Sequence, residues 1–210
     1  MTVQVSEIYL EDRVSGGSAR AELRDAIEEQ QLLDWLNAWQ PAVRDLIVGL
    51  NARGVPANQW PQSWHWQWPA KMAEVAGLIA YRGYCVTCGG MTQGLMRLDL
   101  TSFAREVSQL GKPLVYVEYL EVAPWNWGDG ERRARYAGIG TALLAAAVAL
   151  SIEEGFKGRM GLHSLPQSEG FYRNACGMTD LGPDAECQGL KYFEMTEAQA
   201  EAFLGEETAE

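Results

Sequence analysis

"RYAGIGTALL" occupies residues 135–144, and the reading of its two glycines decides the fold. Gly138 and Gly140 head a nearly apolar run that continues to Ile152. A glycine-led helix start can cradle an anion. Its first-turn amides are unpaired, and the positive end of the helix dipole faces the ligand. Glycine also removes the Cβ that would hold a phosphate away from the backbone. Arg132, Arg133 and Arg135 add local positive charge. A ligand-free tight turn uses the same residues, so the rest of the chain must discriminate.

Three glycine-rich loops compete for this stretch. A P-loop needs G-x-x-x-x-G-K-[ST]; the chain has none, and Lys112 is followed by Pro113. A dinucleotide fingerprint needs a third glycine and an acid on the next strand. Here the third position is Leu143, and residues 159–165 carry no acid. The pattern [QR]-x-x-G-x-[GA] is satisfied by Arg135-Tyr136-Ala137-Gly138-Ile139-Gly140.

Working outward, "LVYVEYLEV" (114–122) is the strongest strand, rich in β-branched and aromatic residues and closed by Pro124. A loop to about Gly138 leads into a helix that ends at Glu154, before Gly155. Strands follow at 159–165 and 190–195, with a short helix at 168–176 between them and a short helix in the tail. Upstream, 3–10 reads as a strand and 18–39 as an amphipathic helix capped by Ser18. Pro41 breaks that helix, and 42–54 forms a second one. Residues 72–83 continue as helix, and 84–100 form a hairpin turning at Gly89-Gly90. This order predicts an α/β chain: one domain, 1–210, with an N-terminal helical part over about 18–80 and a core over about 84–195.

Composition narrows the function. Of 210 residues, 47% are hydrophobic and 21% charged, an ordinary globular balance. The net charge of −11 excludes a general nucleic-acid or anionic-membrane binder. The N-terminus has no secretory h-region, and the apolar run 137–152 is too short to span a bilayer, so a cytoplasmic protein is expected. Cys85-Val86-Thr87-Cys88 has knuckle or redox spacing. Cys176 and Cys187 supply no matching pair, so reduced, partly buried thiols and no metal are expected.

At "EYLEVAP", "RYAGIG" and "GFYRNACGM" the chain resembles the GNAT acyltransferase superfamily. The resemblance runs from residue 114 to about 195 and, more loosely, over the hairpin at 84–100. It implies a mixed, mostly antiparallel central sheet flanked by helices, and acetyl-CoA as acyl donor. It implies that backbone groups of Leu120 and Val122 bond the pantetheine arm. The pyrophosphate would lie on Arg135, Tyr136, Ala137, Gly138, Ile139, Gly140 and Thr141. Homodimers are common in this superfamily. The chain departs from the pattern at three points: the long loop "APWNWGDGERRA", "HSLPQS" in place of an asparagine before the second motif, and one extra residue between Tyr172 and Gly177.

Acetyl transfer to an amine needs a base, because an alkylammonium with a pKa of about 10.4 is not a nucleophile. It also needs donors for the oxyanion and a proton for the leaving thiolate. Glu118 is the first candidate base and Glu121 the second; strand alternation puts them on opposite faces. Either can instead be a strand carboxylate paired at the sheet edge. The resemblance makes Tyr172 the candidate acid, with a packing aromatic beside Phe171 as the alternative. His163 is a base or substrate ligand, or else a hydrogen-bonded structural residue. Trp64 and Trp66 alternate with Trp68, so an extended chain puts all three on one face. They form either a substrate wall, joined by Trp125, or anchors that pin a loop.

The expected function is an acetyl-CoA-dependent N-acetyltransferase with an amine acceptor on a small molecule or peptide. A non-catalytic acyl-CoA-binding module of the same fold is the alternative. A cysteine-based metal or redox protein comes third.

Overall fold

A computed structural model describes residues 2–127 and 134–207. Among the described residues nine strands form one sheet in the order β6-β1-β2-β3-β4-β5-β7-β9-β8, flanked by helices. They are β1 (Val5–Asp12), β2 (Gly17–Arg24), β3 (Tyr81–Cys88), β4 (Met91–Phe103), β5 (Pro113–Val122), β6 (Tyr136–Ala137), β7 (Met160–Ser164), β8 (Thr179–Asp184) and β9 (Leu190–Met195). The sheet is mixed and mostly antiparallel, as expected; β5 and β7 are the parallel pair. Their pairing covers Val115 to Val117, and β5 runs on to Val122.

By contact density the chain falls into two compact units. The first is Met1–Leu78, Arg82–Met96 and Leu120–Leu143; the second is Ile79–Tyr81, Arg97–Tyr119 and Leu144–Glu210. The first buries Leu10, Trp39, Trp68, Leu95 and Leu143. The second buries Leu98, Leu114, Met160, Leu162 and Phe193.

The expected helix over 18–39 is corrected in its first part. Residues 18–24 belong to β2, paired antiparallel with β1 from Val5↔Arg24 to Asp12↔Gly17. "SARAELR" also alternates with period two: Ala21 is buried while Ser18, Arg20 and Glu22 are exposed. A segment that fits both periods takes the one its partner strand stabilises.

The helix proper begins after Glu28, which forms a capping box with Gln31. It runs through α1 (Glu29–Asp34), a π-turn at Trp35–Trp39, and α2 (Gln40–Ala52). The expected break at Pro41 does not occur. Pro41 falls in the first turn of α2, and the preceding Gln40 N–H donates to Trp35 O, five residues back. The wider turn absorbs the ring that a regular helix interior would reject.

Two further expectations change. The helix α3 (Trp68–Glu74) stops well short of 83, followed by Gly77 at φ +80°, and β3 begins at Tyr81. The strand β8 is additional to the expected elements; it is an edge strand with an irregularity between Asp180 and Pro183, where Gly182 and Pro183 are tolerated. The Gly89-Gly90 turn stands as expected, with φ of +62° and +74°.

The last two helices are α4 (Ile139–Glu153) and α5 (Glu197–Glu207). Among the described residues no helix is long and apolar enough to cross a membrane. Helix α4 is apolar on most sides, with Leu143, Leu144, Ala147 and Val148 all buried. Gly94 of β4 admits it: a Cβ there would stand 2.5 Å from Ile139 Cγ2 and 2.9 Å from Leu143 Cδ1.

Candidate functional site

The glycine turn at residues 135–140 lies in the first unit. Tyr136 and Ala137 form β6 against Asp12 and Glu11 of β1. Gly138 then takes φ +91°, a conformation that glycine tolerates and L side chains rarely adopt. Its carbonyl accepts from Ala142 N at 2.9 Å, which makes it the N-cap of α4. Helix geometry therefore gives the amides of Ile139, Gly140 and Thr141 no intrahelical acceptor. Gly138 is exposed, and the nearest atom a Cβ would meet is Leu10 Cδ2 at 3.8 Å. Arg135 is exposed, its guanidinium 5.0 Å from the Tyr136 ring centre. Arg132 and Arg133 lie outside the described residues. An open, glycine-led first turn beside an arginine fits a pyrophosphate.

Residues just beyond the end of β5 hold this turn in place. Arg135 N donates to Trp125 O at 3.0 Å, and Tyr136 N to Asn126 Oδ1 at 3.0 Å. Buried Gln93 of β4 holds that pair in turn, its Oε1 accepting from Trp125 Nε1 at 2.8 Å and Asn126 Nδ2 at 2.9 Å. No sequence signal marked Gln93 or Asn126, because their roles lie in contacts with distant segments.

Glu121, near the end of β5, is the central group. Its side chain is 6% exposed and accepts hydrogen bonds from Trp68 Nε1 at 2.6 Å and from Trp35 and Ser63. Burial pushes its pKa from the usual 4.5 up to about 7; those hydrogen bonds and the charge of Lys71 pull the other way. Glu121 lies on the wall of a cavity of about 270 Å³. Trp35, Trp39 and Glu121 are its buried lining, and Arg44, Val48, Trp64 and Gln67 its exposed lining. The π-turn supplies Trp35 and Trp39, and the Trp39 indole N–H donates to Thr92 O at 3.0 Å. Both tryptophans were legible as an apolar stripe but not as cavity lining.

The tryptophan segment is a run of turns rather than an extended strand, so Trp64, Trp66 and Trp68 do not share a face. Trp64 lines the cavity, edge-on to Trp60. The Trp66 ring carries the Lys71 ammonium at 5.1 Å, and Trp68 is fully buried under Glu121. Trp125 packs edge-on against Trp39 at 6.4 Å. Leu120 and Val122 are half-buried, and Val122 O accepts from Trp127 Nε1 at 2.9 Å.

The other candidates lie in the second unit. Glu118 is ion-paired with Arg97, its Oε2 2.7 Å from Nε. That guanidinium also lies 4.8 Å from the Tyr119 ring centre. His163 has both ring nitrogens engaged, Nδ1 with Tyr116 OH at 2.6 Å and Nε2 with Asp184 at 2.9 Å. Asp184 is bound in turn by Arg105 and lies beside Cys187; with His163 these form the one metal-capable group among the described residues. Tyr172 is buried between Phe171 and Phe193, in a π-turn over Phe171–Ala175, and burial holds its phenol protonated far above the ordinary range.

Cys85 and Cys88 are reduced and lie in β3, bonded to Ala26 O and Arg20 O respectively. Burial pushes the Cys85 thiol up to about 12, which removes thiolate reactivity at neutral pH.

No protein-family model and no curated protein matches this sequence. Solved structures do. A PaiA N-acetyltransferase from Thermoplasma acidophilum in complex with coenzyme A is 9% identical, with 93% of this chain and 99% of that one covered and a TM-score of 0.52. The GNAT domain of S. lividans PAT is 17% identical over 91% and 96%, also at 0.52. FeeM, an N-acyl amino acid synthase from uncultured soil microbes, is 10% identical over 88% and 94%, again at 0.52. The fold is that of the GNAT acyltransferases.

Proposed function

We propose that this chain, which has the GNAT fold, is an acyl-CoA-dependent N-acyltransferase, with acetyl-CoA as donor and a primary amine as acceptor. The observation that carries the reading is Glu121. A carboxylate poised near neutrality on the wall of an aromatic cavity is what deprotonating a bound ammonium requires. Glu118, held by Arg97, is the weaker candidate, which reverses the order expected from sequence.

The residues divide the work. The amides opening α4, with Gly138 and Arg135, hold the pyrophosphate. Backbone groups of Leu120 and Val122, beyond the β7 pairing, orient the pantetheine arm. The bound acyl-CoA supplies a thioester carbonyl and a leaving thiolate. Glu121 takes one ammonium proton; three donors occupy its oxygens, leaving about one acceptor position for the amine. The N–C bond forms as the C–S bond breaks. A second nitrogen proton ends on the departing sulfur; the family resemblance gives that transfer to the Tyr172 phenol, which burial keeps neutral.

The test is acetyl-CoA titrated against thermal stability, followed by thiol release with a panel of amines. Saturating donor raises Tm, by about 2.7 kcal/mol of stabilisation at 100 times Kd. No shift removes the reading; a shift with no thiol released from any amine leaves a binding module. Tyr172→Phe lowers kcat about tenfold or more with donor affinity unchanged. Undiminished kcat assigns the proton on sulfur to another source.

A further inference from the structure

Helix α2 faces the cavity with two rows of side chains at i, i+4 spacing. The inner row is Trp39, Val43 and Ile47; the outer row is Gln40, Arg44 and Val48. Burial rises from the outer row to the inner one and on to Trp35 and Glu121. The cavity thus has an anionic group at its buried end, apolar and aromatic walls, and one guanidinium at its exposed end. Arg44 forms no ion pair or side-chain hydrogen bond among the described residues. An unpaired cation is notable on a chain with a net charge of −11. The other nearby cation, Lys71, is engaged over the Trp66 ring.

We propose that the acceptor is a zwitterion: a free α-amino acid with a bulky apolar side chain, its ammonium on Glu121, its carboxylate on Arg44 and its side chain against the tryptophans. This rests on the acyltransfer reading and deepens it. Opposite charges at the two ends of one cavity complement opposite charges on one small ligand. A guanidinium binds a carboxylate through two parallel N–H bonds, which sets orientation as well as affinity. Polyamines place a second cation against Arg44, and an internal peptide residue offers no carboxylate. The volume of about 270 Å³ suits a single amino acid better than a peptide.

The experiment measures quenching of the protein's tryptophan fluorescence by L-phenylalanine, phenethylamine and L-phenylalaninamide, in the full chain with coenzyme A present. L-Phenylalanine is expected to bind about tenfold more tightly than the two ligands without a carboxylate. Arg44→Gln brings the ratio to near one, and Arg44→Glu inverts it. Equal binding of all three by the wild type, or a ratio indifferent to both substitutions, overturns the proposal. Thiol release from acetyl-CoA is read in parallel. Preferential binding without release upholds the zwitterion pocket and removes the acyltransferase reading. Equal release with phenethylamine and phenylalanine does the reverse.

Discussion

Glu121→Gln is expected to lower kcat/KM for acyl transfer by about 100-fold or more, within the range that a positioned base contributes. The substitution preserves shape, and its amide oxygen still accepts from Trp68 Nε1, which lies 2.6 Å from Glu121 Oε2. What it removes is proton affinity, together with acceptance from Trp35 or Ser63 at the oxygen replaced by NH2. The wild-type rate rises with pH through a midpoint near 7, where Glu121 ionises, and that limb is absent from the variant. Stability gives an independent readout. The folded protein holds the Glu121 proton more tightly than the unfolded chain, whose carboxyl titrates near 4.5. Stability is therefore highest at or below about pH 4.5 as far as this group decides it. It falls as pH rises towards 7, by about 3 kcal/mol in all, and then levels off. Glu121→Gln flattens that slope. A variant with wild-type turnover and an intact acid limb assigns the base elsewhere. One that loses activity and also melts well below wild type at pH 5 has lost structure instead.

Gly94→Ala is the second large effect. Its added methyl would stand 2.5 Å from Ile139 Cγ2, a branched atom close to the α4 backbone with little room to swing. Ile139 is the first residue of α4, directly after the N-cap glycine. Relief comes by moving the helix start away from β4. Overpacking of this kind costs about 1–3 kcal/mol, which for a chain of this size lowers Tm by roughly 2–12 °C. Acetyl-CoA affinity is expected to fall with it, about tenfold, because the displaced turn is the one proposed to hold the pyrophosphate. The double variant Gly94→Ala/Ile139→Ala recovers part of both losses. Unchanged Tm and unchanged donor affinity in Gly94→Ala would contradict the close packing.

The sequence disclosed what short-range chemistry determines. Gly138 needed a positive φ, Gly89-Gly90 needed a turn, and β5 carried its β-branched and aromatic run in full view. It concealed what distant segments impose. Glu121 is abnormal because Trp35, Ser63 and Trp68 converge on it from other elements, while Glu118, on the same strand, meets Arg97 and is neutralised. Gly94 looked like any strand glycine until α4 lay across it. "SARAELR" satisfied two periodicities, and the choice belonged to β1. Pro41 reads as a breaker on its own, but the wide turn before it accommodates its ring.

That accommodation has a consequence for how this cavity can change. A π-turn holds one residue more than a regular helix uses for the same turn, so the extra residue is taken up locally at Trp35–Trp39. Removing one residue there restores α-helical winding and leaves the helix beyond it facing nearly as before. Val43, Arg44, Ile47 and Val48 would keep their places on the wall, and the change would fall on Trp35 and Trp39. The two halves of the lining are thus separately adjustable: the helix carries one and the wide turn presents the other.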